Sequence, residues 1–348
     1  MPILRVPPRL TTSILYRDKI ILLMLDAVKV KQLEFSDLYL GHSTLEDRFS
    51  DVPGAAANPL PAGPLLRDDL DQLTAACKHI LQERPTATEF KTVYDDVAYR
   101  VSVMTTASGE VFVLRKISEK IHSLSELGIP HAYIRYLMTR DLTGLFIISG
   151  AIKAGKTTTA CAMIKDRLTA YGGVAVSTEE TIELPLEGSY GDGICYQTSF
   201  HREIRSSVDT FRRAMKWGAK IILIDEIRDH EIATEALQAS INGHLVITTM
   251  LAANVIQTIN KLHALTNEKL APGAAQSLVA DGLIGVLHQQ LMPGPKQKLE
   301  TEFLFLKDAV MTKAVLRNGK YDLLGSDIKR QMAAMITGNA TAQRFLET

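Results

Sequence analysis

One segment near the middle of the chain constrains the fold more than any other. Residues 150–157 are Gly-Ala-Ile-Lys-Ala-Gly-Lys-Thr, which matches the pattern G-x-x-x-x-G-K-[ST]. A short apolar run, 145–149, precedes this loop, and residues 157–168 have helical spacing. In such a strand–loop–helix arrangement the backbone N–H groups and the helix N-terminus face phosphate oxygens. The context favours a phosphate-binding loop over the alternative, a fortuitous match in an ordinary loop.

Nucleotide phosphates are expected to contact this loop and the first residues of its helix. In loops of this pattern the lysine reaches the β- and γ-phosphates, and the following hydroxyl binds Mg²⁺. Those roles fall here to Lys156 and Thr157. The full expected set is Gly150, Ala151, Ile152, Lys153, Ala154, Gly155, Lys156, Thr157 and Thr158.

A second apolar run, residues 221–224, ends in two carboxylates, Asp225 and Glu226. In enzymes with a phosphate-binding loop, an aspartate at the end of a second strand holds Mg²⁺. A glutamate that follows it can polarise the attacking water. The pattern alone is equally typical of a strand that ends in solvated acids. Together with the loop it predicts that Asp225 binds the metal and that Glu226 is catalytic.

Length and pattern both predict two domains. A chain of 348 residues corresponds to two domains at roughly 150 residues each. Beyond residue 142 short apolar runs alternate with helical segments, which is typical of a parallel sheet with helices on both faces. The four runs are 145–148, 174–176, 221–224 and 245–247.

The N-terminal part has a more mixed pattern. Two strand-like segments, 97–104 and 111–117, are separated by turn residues and predict a hairpin. Residues 51–64 are rich in proline, glycine and alanine and indicate a loop or insertion. Helical spacing predicts further helices within 20–33, 70–84 and 325–348.

Composition excludes several classes of protein. Lysine plus arginine and aspartate plus glutamate each number 39, so the formal net charge is zero. This balance argues against wholesale disorder and against a dedicated, strongly basic nucleic-acid binder. Three scattered cysteines predict free thiols in a reducing compartment. Because we find neither a long apolar run nor a secretory signal pattern, we expect a soluble cytoplasmic protein that does not span the membrane.

Four motifs together resemble those of the hexameric ATPases of type II and type IV secretion systems and type IV pili. The resemblance extends over about residues 30–320. Within the family, the pilus-retraction (PilT-type) branch and its type IVB secretion or conjugation relatives are most similar. The motifs are a Walker A box at 150–158, an acidic "Asp box" at 176–183, a Walker B box at 223–229 and a "His box" at 243–249.

The resemblance implies an architecture and a set of partners. The fold class is α/β, with a PAS-like α+β N-terminal domain over residues 1–124 and a RecA-like P-loop ATPase domain over 125–348. Six copies would form a ring, bind ATP and Mg²⁺ between the domains and at the subunit boundary, and act on an inner-membrane platform protein. The location implied is cytoplasmic, peripherally associated with the inner membrane, and no stable nucleic-acid binding is expected. Weaker similarities cover residues 35–40, 99–103 and 113–117.

The resemblance also implies roles for individual residues. Glu226 is the first choice for activating water, Glu179 is the second carboxylate, and Glu183 helps to order it. Arg100 and Arg115 match arginines that reach the γ-phosphate, although a salt-bridged strand surface is an open alternative. The remaining expected catalytic residues are His244, as a γ-phosphate sensor or else a structural histidine, and Arg212.

Five positions depart from the family pattern. Lys153 and Asp225 stand where the family commonly has glycine, Thr181 replaces proline, Leu251 replaces a second histidine, and Lys216 replaces an arginine. Lys153 is strained if its backbone is left-handed, at a cost of ~1–2 kcal/mol, and it adds a cation near the phosphates. Lysine cannot form the bidentate fork of arginine, so Lys216 differs from its family counterpart.

Three functions are therefore compared. The first is a ring-shaped motor ATPase of a pilus, secretion or conjugation machine. The second, prompted by the departures, is a nucleotide-regulated scaffold of the same machinery that hydrolyses ATP poorly. The third is a RecA-like DNA-acting ATPase, against which the neutral net charge counts. Extension, retraction, secretion and conjugation are not distinguished by these residues.

Overall fold

The chain is built from two compact units, residues 1–119 and 120–348. The computed structural model describes residues 29–55, 57–117, 120–199, 207–271, 273–292 and 298–337. Each unit contains one sheet.

The first unit is organised around an antiparallel sheet. Its strands are β1 (Leu38–Leu40), β2 (Arg48–Phe49), β3 (Leu60–Pro61), β4 (Glu89–Tyr94), β5 (Val97–Thr106) and β6 (Gly109–Lys116). Their order across the sheet is β3-β2-β1-β6-β5-β4. The predicted hairpin is confirmed, since β5 and β6 pair in antiparallel register from Tyr99 with Lys116 to Thr106 with Gly109.

A long helix, α1 (Arg67–Glu83), covers one face of this sheet. Its buried residues Leu70, Leu73, Cys77 and Leu81 recur at helical spacing and form one stripe. The stripe belongs to a core that also contains inward-facing residues of β1, β5 and β6. The helix predicted over residues 70–84 is therefore confirmed, and burial of its apolar stripe explains its position.

Two predictions for this unit have different outcomes. The segment 51–64 is mostly loop, as expected, but Leu60–Pro61 pair with β2 as the short strand β3. The helix expected within 20–33 lies outside the described residues up to position 28. Its last part, Val30–Gln32, is a 3-10 turn that ends at Leu33, whose backbone is extended.

The second unit contains an eight-stranded, mainly parallel sheet. The strands are β7 (Gly144–Gly150), β8 (Gly173–Glu179), β9 (Gly188–Tyr190), β10 (Gly193–Ser199), β11 (Ile221–Glu226), β12 (Leu245–Leu251), β13 (Leu283–Met292) and β14 (Lys298–Phe305). Their order is β14-β13-β7-β12-β11-β8-β10-β9. The two edge strands β14 and β9 are antiparallel to their neighbours, and the other six strands are parallel.

Helices cover both faces of this sheet, as the four buried runs predicted. Alternate residues of β7 belong to different cores: Leu145 and Ile147 to one, Phe146 and Ile148 to the other. The described helices are α2 (His131–Leu137), α3 (Lys156–Tyr171), α4 (Ser207–Lys216), α5 (His230–Ile241), α6 (Val255–Asn267), α7 (Ala274–Gly282), α8 (Val310–Arg317) and α9 (Leu324–Thr337).

The segment before α2 belongs to the second unit. The backbone N–H of Leu124 donates to Asp166 on α3 over 2.9 Å, and Lys165 Nζ donates to the carbonyl of Ile121 over 2.7 Å. Ile121 and Leu124 are also buried in the core that contains α3. The two units consequently divide at residues 119–120, before the boundary expected at Leu124.

Parallel strands place several chain segments at one sheet edge. The carboxyl ends of β7, β12, β11 and β8, which are neighbours in this order, are Gly150, Leu251, Glu226 and Glu179. In open parallel sheets ligands bind at this edge. Among the described residues, no helix combines the length and the apolar character needed to cross a bilayer.

Candidate nucleotide-binding site

The phosphate-binding loop connects β7 to α3 at the carboxyl edge of the sheet. Gly150 ends β7 and packs against β13, because a Cβ there would lie 2.3 Å from the carbonyl oxygen of Gln289. Gly155 is the N-cap of α3 and has a left-handed backbone with φ +78°. The helix then begins at Lys156. The predicted strand–loop–helix setting is confirmed, and the N-terminus of α3 faces the loop.

Lys153 occupies the most strained described position of this loop. Its φ is +63°, in the left-handed region that costs an L-residue other than glycine about 1–2 kcal/mol. The sequence predicted strain at Lys153 if its backbone were left-handed. The backbone is left-handed, at a position where the family usually has glycine. Strain of this kind is retained only where the surrounding structure enforces it.

Lys156 connects the loop with the acidic strand ends. Its Nζ donates to the carbonyl of Ala151 over 2.8 Å. Burial lowers the pKa of Lys156, whereas the negative charges of Glu226 and Glu183 act in the opposite direction. The loop lysine therefore interacts electrostatically with two carboxylates: Glu183, which follows β8, and Glu226, which ends β11. The structure brings these predicted residues together.

Glu179 is the most deeply buried carboxylate of the site. It ends β8 with 1% of its surface exposed, and its Oε1 accepts a hydrogen bond of 2.9 Å from Gln197 Nε2. Burial, with contributions from Asp225 and Glu183, raises the pKa of Glu179 to about 7. Desolvation disfavours the charged form, and the neighbouring negative charges disfavour it further.

Asp225 and Glu226 follow each other at the end of β11. The register of β11 with β12 shifts between Ile224 and Glu226, and the carbonyl of Asp225 accepts a hydrogen bond of 2.7 Å from Thr249. Burial and Glu183 raise the pKa of Asp225 to about 6, while Arg228 opposes the shift. A strand irregularity of this kind changes the direction of side chains. Here Asp225 and Glu226 both interact with the other charged residues of the site, although successive residues of a regular strand point to opposite faces.

Arg228 compensates part of this negative charge. Its Nε donates to Glu226 Oε2 over 2.8 Å, and its Nη1 donates to Glu180 Oε2 over 3.1 Å. The Glu226 side chain is mostly buried, and half of the Arg228 side chain is exposed. The arginine thereby fixes one oxygen of the expected catalytic glutamate.

Two predicted catalytic residues of this unit lie away from the loop. His244 precedes β12 and therefore lies at the amino ends of the parallel strands, whereas the loop lies at their carboxyl ends. The register shows this, because Leu245 pairs with Gly144 and Leu251 with Gly150. The Nδ1 of His244 lies 2.9 Å from the carbonyl of Ala219, which matches the structural alternative within this chain, and its role as a γ-phosphate sensor stays a prediction. The residue of β12 that does lie beside the loop is Leu251.

Arg212 is also engaged elsewhere. It lies on α4, and its Nε and Nη2 donate to Glu235 Oε1 on α5 over 3.1 and 2.5 Å. Within this chain Arg212 therefore forms a surface ion pair between two helices, and the loop and the acidic strand ends are not its described partners.

The two expected arginine fingers lie in the first unit. Arg100 on β5 and Arg115 on β6 are directly opposite each other. Arg100 Nη2 donates to both oxygens of Glu89 over 3.1 Å. Arg115 donates through Nε and Nη2 to Asp37 Oδ1 over 2.9 and 2.7 Å. Both match the salt-bridged alternative within their unit, and their contact with phosphate stays a prediction.

Sequence reasoning missed three residues of this site. Arg228 lies inside the Walker B stretch, and its position two residues after Glu226 was an available signal. Gln197 on β10 and Gln289 on β13 had none, because each belongs to no recognised motif and its partner lies in a different part of the sequence. Gln289 Nε2 donates to the carbonyl of Ala154 in the loop over 2.5 Å.

The ligand set of the acidic strand ends is made of oxygen atoms. In the described part of the chain, no group of three or more histidine, cysteine, aspartate or glutamate residues has the geometry of a metal site. The three cysteines are buried and free. Mg²⁺ needs only one or two protein carboxylates when it also binds phosphates and water, and Asp225 and Thr157 offer oxygen atoms of the kind that this ion binds.

A family model described as "Type II/IV secretion system protein" matches residues 76–324. The chain belongs to this family. The resemblance inferred from the four motifs is thereby confirmed. The match covers the end of the first unit and nearly all described elements of the second.

Curated relatives of this Type II/IV secretion system protein include pilus ATPases. The type IV pilus assembly ATPase TfpB of Acinetobacter baylyi is 29% identical over 203 residues, covering 56% of this chain and 32% of TfpB. The type IV pilus retraction ATPase PilT of Pseudomonas aeruginosa is 30% identical over 199 residues, covering 56% of this chain and 55% of PilT. The chain spans about a third of the length of the first curated relatives it matches.

Solved structures support the fold class. The crystal structure of the pilus retraction motor PilT with bound ADP has a TM-score of 0.70 at 22% identity, and the match covers 89% of both chains. The ATPase DotB of Yersinia pseudotuberculosis has a TM-score of 0.65 at 16% identity, covering 99% of this chain and 95% of DotB. The predicted α/β class, an α+β PAS-like unit followed by a RecA-like unit, is confirmed.

Proposed function

We propose that the chain hydrolyses ATP as one subunit of a ring-shaped motor of a type IV pilus, secretion or conjugation machine. The observation that carries this proposal is the electrostatic interaction of Lys156 with Glu226 and Glu183. A loop of phosphate-binding pattern thus lies beside carboxylates able to orient a water molecule. Relatives named as pilus ATPases, and the ADP in the PilT structure, support ATP as the nucleotide.

Thr157 and Asp225 would hold Mg²⁺ in this proposal. Both offer hard oxygen ligands, which this ion prefers. Asp225 is partly buried near other carboxylates, and the resulting rise of its pKa to about 6 means that a nearby cation would stabilise its charged form. When bound, the ion supplies positive charge to the phosphate oxygens.

Glu226 would orient the attacking water. Arg228 holds its Oε2 and leaves Oε1 as the remaining oxygen for this task. Glu179 would act as the second carboxylate, and its pKa of about 7 suits a group that exchanges a proton near neutral pH. Arg100 and Arg115 would supply positive charge to the γ-phosphate after exchanging their present partners, Glu89 and Asp37.

We further propose a homo-hexamer that acts on an inner-membrane platform protein from the cytoplasmic side. The family membership and the likeness to PilT support this assembly. Stable binding to nucleic acid is not expected, because net charge is zero and binding to DNA requires clustered cations.

A second candidate is a scaffold of the same machinery that binds ATP and hydrolyses it slowly. Two observations favour it: the strained Lys153 in the loop and Leu251, a half-exposed apolar residue, at the strand end beside Gly150. Tight ATP binding with negligible phosphate release would support the scaffold over the motor.

The test is phosphate release from ATP and Mg²⁺ by the purified full chain. Lys156→Ala is expected to abolish both ATP binding and phosphate release, since it removes the loop cation. Lys298→Ala is the matched control, because Lys298 is an exposed lysine of β14 paired with Glu300. Full activity of Lys156→Ala, or no nucleotide binding by the parent chain, contradicts the proposed function.

A further inference from the structure

Gln289 connects the strand beside β7 to the phosphate-binding loop. It lies on β13 with 1% of its surface exposed. β13 pairs in parallel with β7 up to His288 opposite Ser149, so Gln289 is next to Gly150. The strand touches the loop through its own carbonyl, against Gly150, and through the amide of Gln289, against Ala154.

The hydrogen bond from Gln289 fixes the direction of a peptide plane. The peptide joining Ala154 to Gly155 is trans, so its carbonyl and its N–H point in opposite directions. Because the Ala154 carbonyl points toward Gln289 Nε2 at 2.5 Å, the N–H of Gly155 points away from β13. Gly155 is the N-cap of α3, and N–H groups at such a helix start are the ones that bind phosphate.

The fit around this amide is close. A Cβ at Gly155 would lie 3.3 Å from Gln289 Nε2, which is tighter than ordinary van der Waals contact. The side chain therefore fills the space between β13 and the loop while it holds the Ala154 carbonyl. A shift of the loop toward the strand is sterically blocked, and a shift away breaks the hydrogen bond.

Stability alone does not explain an amide at this position. Gln289 Oε1 is buried and has no hydrogen-bond partner among the described residues. A buried polar atom without a partner destabilises the folded state. An unbranched apolar side chain of similar size would fill the same space without this cost, so the donor Nε2 is the distinctive property of the glutamine.

We propose that Gln289 is a positioning residue that orients the Ala154–Gly155 peptide for phosphate binding. The inference rests on the proposed nucleotide site and adds a residue that acts through the loop rather than on the substrate. It predicts that nucleotide affinity and thermal stability respond differently to the loss of the amide.

The first test is Gln289→Met in the full chain, with ADP affinity measured by calorimetry and unfolding by a thermal scan. The dissociation constant of ADP is expected to rise about tenfold, equivalent to about 1.4 kcal/mol. The thermal midpoint without nucleotide is expected to stay within about 4 °C of the parent. Gln290→Met is the matched control, since the neighbouring glutamine is exposed, and it should leave both values unchanged.

Gln289→Glu keeps the size of the side chain and replaces the donor amide with a group whose donor is present only in its protonated form. A buried carboxylate repels the Ala154 carbonyl, whereas its protonated form can donate to it. The ratio of the variant's ADP dissociation constant to that of the parent should therefore fall as pH decreases from 8 to 5.5. All other titratable groups are the same in the parent and the variant, so their effects on ADP affinity cancel in this ratio.

The outcomes separate the two proposals. Parent-like ADP affinity in folded Gln289→Met overturns the positioning role while the nucleotide site stands. If Gln289→Met does not fold, a pH-independent ratio for Gln289→Glu overturns it instead. No ADP binding by the parent chain overturns the proposed function and this inference with it.

Discussion

The two halves of the candidate site achieve their charge complementarity by different means. The phosphate half, between β7 and α3, is held mainly by neutral groups: glycines that allow close approach and the amide of Gln289. The acidic half, at the ends of β8 and β11, gathers Glu179, Asp225 and Glu226 with Arg228 as a described cationic partner. The phosphate half combines fixed dipoles with the lysine cations of the loop, whereas the acidic half consists of clustered carboxylates and an arginine.

This difference determines where each half stores unfavourable free energy. In the phosphate half it is conformational, in the left-handed backbone of Lys153, and a desolvation cost, in Gln289 Oε1, which has no hydrogen-bond partner among the described residues. In the acidic half it is electrostatic and is expressed in the raised pKa values of Glu179 and Asp225. A change of pH should therefore affect mainly the acidic half, whereas substitutions that alter backbone geometry should affect mainly the phosphate half.

The largest expected effect separates binding from turnover. Glu226→Gln should lower the rate of ATP hydrolysis by at least about a hundredfold, because the amide cannot accept a proton from water. Nucleotide affinity should remain close to that of the parent, since the phosphate half is unchanged. Steady-state hydrolysis and ADP titration measure the two properties. Glu300→Gln on exposed β14 is the control, and parent-like turnover in Glu226→Gln would assign the catalytic role to another group.

A smaller effect concerns stability and pH. The pKa of Glu179 rises to about 7 and that of Asp225 to about 6 on burial, so between about pH 4 and 7 these two carboxyls bind more protons in the folded chain than in the unfolded chain. The free energy of unfolding without ligands should therefore fall as pH rises through this window, by at most about 3 kcal/mol for each group.

Urea unfolding at pH 5 and pH 8 measures this difference. Glu179→Gln should lose its share of the pH dependence, and ADP with Mg²⁺ should reduce the dependence in the parent chain. An equal difference between the two pH values in the parent and in Glu179→Gln would show that this carboxyl is not the source.

The smallest expected effect tests the strained lysine of the phosphate half. Lys153→Asn keeps a residue that tolerates the left-handed region but removes the cation. ADP affinity should fall about fivefold at low ionic strength, for an interaction on the order of 1 kcal/mol. The difference should shrink in high salt because of screening. Lys153→Gly should show the same loss of affinity, and unchanged affinity in both variants would exclude a phosphate contact.

Much of the site could be predicted because its strongest signals are contiguous in sequence. The loop from Gly150 to Thr157 contains both its glycines and its lysine, and Asp225 and Glu226 directly follow an apolar run. The buried runs also predicted four of the central parallel strands. The edge strands β9 and β14 were not predicted, since their residues alternate less clearly and their pairing depends on neighbours.

The remaining residues required knowledge of which segments meet. His244 lies in a motif with expected catalytic histidines, yet it precedes β12 and is therefore at the far edge of the sheet. Gln197 and Gln289 reach their partners only because β10 lies beside β8 and β13 lies beside β7. Single-sequence patterns carry no information on such strand neighbours when the partners are far apart along the chain.

The sequence by itself determined that this chain contains a phosphate-binding loop, acidic strand ends and an α/β fold. These features depend on local geometry, namely glycine conformations, hydrophobic periodicity and the start of a helix. Only the tertiary structure decided which end of each strand faces the loop, which acids are buried together and which amide orients the loop. Those properties depend on strand order, and strand order is set by packing and hydrogen bonding between segments distant in sequence.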